Sequence, residues 1–128
     1  SYKYVIDSYA WIEYFRGTEK GAIAKPYIES ENAATSVITL SELKEKYLRE
    51  DWNYFDDDLE FISSKTLIVP IDKTIAVAAG KINYTRKKEV RDRSISDSLI
   101  LSTAQVASTK VVTGDKYLKG LEETLLLE

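Results

Sequence analysis

The sequence predicts an α/β domain whose parallel sheet is covered by helices on both faces. Two observations predict this. Short, continuous apolar runs rich in β-branched residues alternate with longer segments of helical period, the pattern of buried parallel strands joined by crossover helices. The chain also has 2 Pro and 5 Gly in 128 residues, with no Pro/Gly-rich linker, low-complexity stretch or convincing repeat. One domain spanning residues 1–128 is therefore expected.

The elements follow in order. Tyr4-Val5-Ile6 reads as a buried strand. The helix after it places Ala10, Trp11, Tyr14 and Phe15 on its apolar positions. Residues 19–30 form a second helix, with Pro26 expected near its start or at a kink. Residues 33–38, small and β-branched, give the second strand, and 39–50 and 52–64 two further helices. Leu67-Ile68-Val69 is a third strand stopped by Pro70. Asp72 then caps a long helix carrying Ile75, Ala76, Ala79 and Ile82. After the polar stretch 86–93 comes a helix bearing Leu99, Ile100, Thr103, Val106 and Ala107. Lys110-Val111-Val112-Thr113 is the fourth strand and residues 124–127 the fifth.

Composition narrows the chemistry. The formal charge is −3, and the chain has no Cys and no His. Disulfides, thiolate zinc sites, cysteine nucleophiles, Ser-His-Asp triads and imidazole bases are all excluded. Hydrolysis would have to rest on carboxylates, hydroxyls, lysine or a bound metal. No apolar run approaches the roughly 18 residues of a membrane span, and no signal-peptide pattern opens the sequence. A cytoplasmic protein without a membrane partner is the expectation.

In parallel sheets, chemistry gathers beyond the carboxyl ends of the strands. Four acids stand there: Asp7, Glu42, Asp97 and Asp115. Each has a plainer explanation. Asp7 could cap the helix beginning near Ser8, and Thr39-Leu40-Ser41-Glu42 and Ser94-Ile95-Ser96-Asp97 both fit a capping box. Asp115, in Thr113-Gly114-Asp115, could be a turn residue. Together they say more. If strands one and four are neighbours, Asp7 and Asp115 emerge side by side and the other two converge on them. Carboxylates so close repel unless a cation intervenes, and an all-oxygen donor set suits Mg²⁺ or Mn²⁺. Asp72 also follows a strand, and only strand order can exclude it.

At these residues the sequence resembles the PIN-domain nucleases and, within them, the VapC-type ribonuclease toxins. Tyr4-Val5-Ile6-Asp7-Ser8-Tyr9-Ala10 resembles the first motif, Val37-Ile38-Thr39-Leu40-Ser41-Glu42-Leu43 the second. Asp97-Ser98-Leu99-Ile100-Leu101-Ser102-Thr103-Ala104 resembles the Asp-Ala-x-Ile-Ala-x-Ala helix, and Val111-Val112-Thr113-Gly114-Asp115-Lys116 the Val-Thr-x-Asp segment. The resemblance runs from about residue 3 to residue 127. It implies strand order 3-2-1-4-5, which joins strands one and four and sends Asp72 to the far edge. It further implies Mg²⁺/Mn²⁺-dependent hydrolysis of RNA, a homodimer, and a cognate antitoxin that blocks the acidic groove.

On this reading Asp7, Asp97 and Asp115 are metal ligands, and Glu42 is a ligand or orients the attacking water. Thr113 and Ser8 offer supporting hydroxyls, with a purely local backbone role as the alternative. Two departures stand out. Tyr117 occupies a position where many relatives carry a further acid, which counts against a tightly held second metal. Tyr9 stands where a small polar residue is common. Basic residues for RNA contact are Arg86, Lys87, Lys88, Arg91 and Arg93, with Lys116; a solvated charge run is the alternative. The rival functions are an RNA-processing PIN nuclease outside any toxin pair, a non-cleaving RNA-binding scaffold, and a phosphoacceptor receiver. The receiver fits poorly, because strand one ends in a single acid.

Overall fold

The structure is a computed structural model that describes residues 1–86, 94–115 and 123–128. Among these residues the chain forms β1 (Tyr4–Ile6), α1 (Ser8–Arg16), α2 (Glu19–Ile28), β2 (Ala33–Ser36), α3 (Val37–Arg49) and α4 (Phe55–Lys65). There follow β3 (Leu67–Val69), α5 (Lys73–Arg86), α6 (Ile95–Ala107), β4 (Lys110–Thr113) and β5 (Thr124–Leu126). The five strands form one sheet in the order β3-β2-β1-β4-β5, and every pairing is parallel. The expected order 3-2-1-4-5 is therefore observed.

Strand alternation splits the core between the two faces. Ile6 and Val112 point to one face, where they meet Trp11, Ile28, Leu43 and Ile62 from α1 to α4. Val5 and Val111 point to the other and meet Ile100, Leu101 and Ala104 of α6. Trp11 is fully buried, and its indole N–H is satisfied by Thr35 Oγ1 at 3.1 Å. Thr35 in turn shares a 2.8 Å hydrogen bond with Thr66, so a polar relay crosses the apolar layer without an orphaned indole donor.

Several element boundaries differ from expectation, each for a local reason. The second strand stops at Ser36, not residue 38, because the Ser36 hydroxyl accepts from the Ile38 N–H and caps α3. The cap overrides the β preference of Val37 and Ile38. Thr39 and Glu42 consequently form no capping box. Pro26 sits in the last turn of α2 rather than near its start. The fourth helix begins at Phe55, after Trp52 has packed edge-on against Tyr47 with ring centres 5.2 Å apart; three aspartates in its first turn suit the helix N-terminus. Val106 and Ala107 are exposed, and α6 instead buries Leu101, Ser102, Thr103 and Ala104. Among the described residues no helix is long and apolar enough to cross a membrane.

Candidate active site

Parallel register brings the carboxyl ends of β1 and β4 together. Ile6 pairs with Val112, and the Asp7 N–H donates to the Val112 carbonyl at 3.3 Å. Asp7 is the N-cap of α1, its carboxylate accepting from the Ala10 N–H at 2.9 Å. The capping role foreseen for Asp7 is thus real, yet it does not use up the carboxylate. Thr113, the last residue of β4, also hydrogen-bonds the Asp7 side chain, while its oxygen accepts from the Asp115 N–H at 2.9 Å. One hydroxyl therefore fixes both the first and the last acid.

Glu42 lies in the second turn of α3, too far from Ser36 to cap that helix. Its Oε2 accepts from the Ser96 hydroxyl at 3.1 Å across 54 residues of sequence, and Ser96 is held by Ser94 at 2.8 Å. The Ser8 hydroxyl also favours the ionised form of Glu42, but Glu42 Oε1 is buried with no hydrogen-bond partner. Asp97 is in the first turn of α6, where its N–H donates to the N-cap Ser94 at 3.4 Å.

These four acids line one open cleft of about 550 Å³, joined by Tyr9, Lys20 and Gly114. Their electrostatics close into a ring. Burial pushes Asp7, 6% exposed, up to about 7, with the Thr113 and Ala10 hydrogen bonds opposing and the charges of Glu42 and Asp115 adding to the rise. Glu42 is raised by burial and then by Asp97, against the Ser96 hydrogen bond. Asp97 is raised by burial and then by Asp115, with the Arg86 charge opposing. Asp7, Glu42 and Asp97 thus each feel a neighbouring carboxylate, which is the condition that a bound cation relieves.

Among the described residues no three acidic side chains already form a ligand cage. The donor set nevertheless fits a hard divalent ion: carboxylate oxygens only, mutually repelling, with a buried acceptor oxygen unmet on Glu42.

The other predicted residues fall elsewhere. Asp72 caps α5 through the Ile75 N–H at 2.8 Å, beyond β3 at the sheet edge. Arg86 is buried at the end of α5, and its charge acts on Asp97 instead of facing solvent as an open phosphate contact. Lys87, Lys88, Arg91, Arg93, Lys116 and Tyr117 lie outside the described residues. Sequence reasoning missed Ser96 as a partner of Glu42, and it missed Lys20. The Ser94–Asp97 motif contained Ser96, but only the α3–α6 crossing shows what its hydroxyl reaches.

A family model described as the PIN domain matches residues 4–123. No curated protein matches the sequence significantly. The fold is similar to a toxin–antitoxin complex chain from Klebsiella pneumoniae, 20% identical, covering 98% of each chain with a TM-score of 0.79. VapBC2 from Rickettsia felis, solved bound to a DNA fragment from its promoter, is 17% identical over 96% of each chain, TM-score 0.75. Mycobacterium tuberculosis VapC20, a Sarcin-Ricin loop cleaving toxin, is 14% identical over 94% of this chain and 98% of that one, TM-score 0.73.

Proposed function

This chain belongs to the PIN-domain family, and from that premise we propose that it is a divalent-metal-dependent endoribonuclease acting as the toxin of a toxin–antitoxin pair. The observation that carries the proposal is the ring of four carboxylates, Asp7, Glu42, Asp97 and Asp115, in one cleft at the carboxyl edge of the sheet.

Asp7, Asp97 and Asp115 would hold the cation, Mg²⁺ or Mn²⁺. Bound there, it supplies an activated water at neutral pH and offsets charge developing on the phosphate, which a site without histidine otherwise lacks. The protein's own groups prepare that event. Thr113 and the Ala10 N–H hold the Asp7 carboxylate in one orientation and favour its ionised form. Ser96 fixes Glu42 through Oε2, leaving Oε1 to accept a hydrogen bond from the attacking water or to join the ligand set. The cap of Ser94 on α6 sets the position of Asp97. Thr113 and Ser8 both act on site acids, which favours the supporting role over a merely local one.

A homodimer and a cognate antitoxin belong to the same proposal. The antitoxin is supported by neighbours of this fold that are themselves toxin–antitoxin complexes, and RNA as the substrate by the neighbour described as a Sarcin-Ricin loop cleaving toxin; the homodimer is what the family resemblance implies. The test is cleavage of defined tRNA and rRNA fragments with Mn²⁺, with excess EDTA, and with Asp97→Asn. Cleavage only in the first arm is expected. Full cleavage in EDTA would sink the metal mechanism, and RNA binding without cleavage in any arm would identify a scaffold.

A further inference from the structure

Two residues of the acidic cleft, Tyr9 and Lys20, have no part in the carboxylate chemistry, and their arrangement rests on a close helix contact. Gly21 lies against the end of α1, where a Cβ would overlap the Glu13 carbonyl oxygen. The Thr18 hydroxyl caps α2 through the Gly21 N–H at 3.1 Å. This tight turn-back carries Lys20, the second residue of α2, over Tyr9, the second residue of α1. Lys20 Nζ donates to the Tyr9 hydroxyl at 3.2 Å and stands 5.5 Å from the ring centre, so the ammonium lies off the phenol end and leaves the ring faces clear of it. Tyr9 is seated over Gly114, where any Cβ would fall within its ring.

The pairing is unexpected for a lysine among acids. The ion pairs between described side chains are Lys46–Glu50 and Arg49–Glu45, and neither involves Lys20. Lys20 thus lines a cleft with four carboxylates without an ion pair to any described acid. The Tyr9 oxygen spends its acceptor capacity on Lys20, and among the described residues no acceptor takes its O–H. Ammonium and phenol thus offer two adjacent donors on the wall of the site.

We propose that Tyr9 and Lys20 form a clamp for a phosphate of the substrate strand, beside the acids. This rests on the ribonuclease reading above. A phosphodiester has two non-bridging oxygens and one charge; the ammonium takes one oxygen and the phenol O–H the other. The clamp also answers an electrostatic need, because a cleft of four carboxylates otherwise repels a polyanion at its entrance.

The test uses the full chain and a fluorescein-labelled single-stranded RNA. Binding is read by anisotropy in the Asp97→Asn background with Mg²⁺, and cleavage in the otherwise wild-type chain. Lys20→Gln is expected to weaken binding about tenfold, the scale of a lost charge-assisted hydrogen bond. It should also lower the slope of log Kd against log salt by about 0.7, one phosphate contact on a single strand. Lys20→Arg keeps that slope. Tyr9→Phe, which retains the ring over Gly114, weakens binding several-fold, and Tyr9→Phe with Lys20→Gln binds more weakly than either single variant. In cleavage, these variants raise KM with little change in kcat. An unchanged salt slope in Lys20→Gln, or a fall in kcat at constant KM, overturns the clamp. Absence of RNA cleavage by the parent chain overturns the ribonuclease reading instead, and the binding arm separates the two failures because it needs no turnover.

Discussion

Replacing Asp7 with Asn should stabilise the metal-free protein at neutral pH while abolishing cleavage. Asn is as good an N-cap as Asp, so the bond from the Ala10 N–H survives. What disappears is a charge that burial, Glu42 and Asp115 all disfavour. The Asp7 carboxyl titrates at about 7 in the fold against 3.8 ordinarily, so between those values the native state holds a proton that the unfolded chain releases. Stability of the wild type without metal must then fall as pH rises from about 4 to about 7 and level off above. The ceiling on that fall is about 4 kcal/mol, from about three pKa units at 1.36 kcal/mol each. Because the neighbouring acids share the repulsion and the lost charge also faced a helix N-terminus, about 2 kcal/mol is the working expectation. Urea unfolding followed by tryptophan fluorescence, at pH 4 and pH 8 in EDTA, measures it. Asp7→Asn should exceed the wild type by about 2 kcal/mol at pH 8, with the gap closing at pH 4. Saturating Mn²⁺ should raise the wild type and leave the variant nearly unmoved. A variant less stable than wild type at both pH values would refute the reasoning, since Asp7 would then be a cap whose charge the fold welcomes.

Three further outcomes are expected. Ser96→Ala removes the hydrogen bond that most favours ionised Glu42, so the Glu42 pKa rises further and the acid limb of the pH–rate profile moves to higher pH; an unmoved limb would exclude Glu42 from the rate-limiting ionisations. Thr113→Val breaks the bridge between the Asp7 carboxylate and the Asp115 N–H, and cleavage should fall about tenfold or more at a destabilisation of about 1 kcal/mol, with Thr113→Ser largely restoring both. Gly114→Ala drives a Cβ into the Tyr9 ring and should cost about 1–3 kcal/mol by thermal or urea unfolding, with weakened RNA binding; full stability would show that the ring moves aside freely.

Strands were easy to read where a short apolar run is bounded by polar or turn residues. Tyr4–Ile6, Leu67–Val69 and Lys110–Thr113 are each observed over the residues read from the sequence, around the β-branched pairs or triplets they carry. Boundaries set by side-chain hydrogen bonds were harder. Val37 and Ile38 look like the end of a strand until Ser36 is seen to cap them, and the start of α4 depends on Trp52 finding Tyr47. Of the site, the acids were legible because strand ends are where parallel sheets do chemistry. Lys20 was not, since its relation to Tyr9 exists only after Gly21 has let two helices touch.

Capping and a catalytic role are alternatives at the sequence level, and the structure makes them compatible. Asp7 and Asp97 stand at helix N-termini, where free N–H groups and the helix dipole favour negative charge. That help partly counters burial and mutual repulsion, so the fold can keep these carboxylates close together before any cation arrives. Glu42 shows the limit of the device. Its helix is capped by Ser36, so the ionised form of Glu42 leans on the hydroxyls of Ser96 and Ser8, with Oε1 left unmet. Glu42, away from a helix N-terminus, is thus left with an open oxygen for water or metal. The net charge of −3 takes on a local meaning as well. Without the four cleft acids the remaining chain carries 17 acids against 18 bases, so the acidity is concentrated where a divalent cation would neutralise it, and the rest of the chain need not repel RNA.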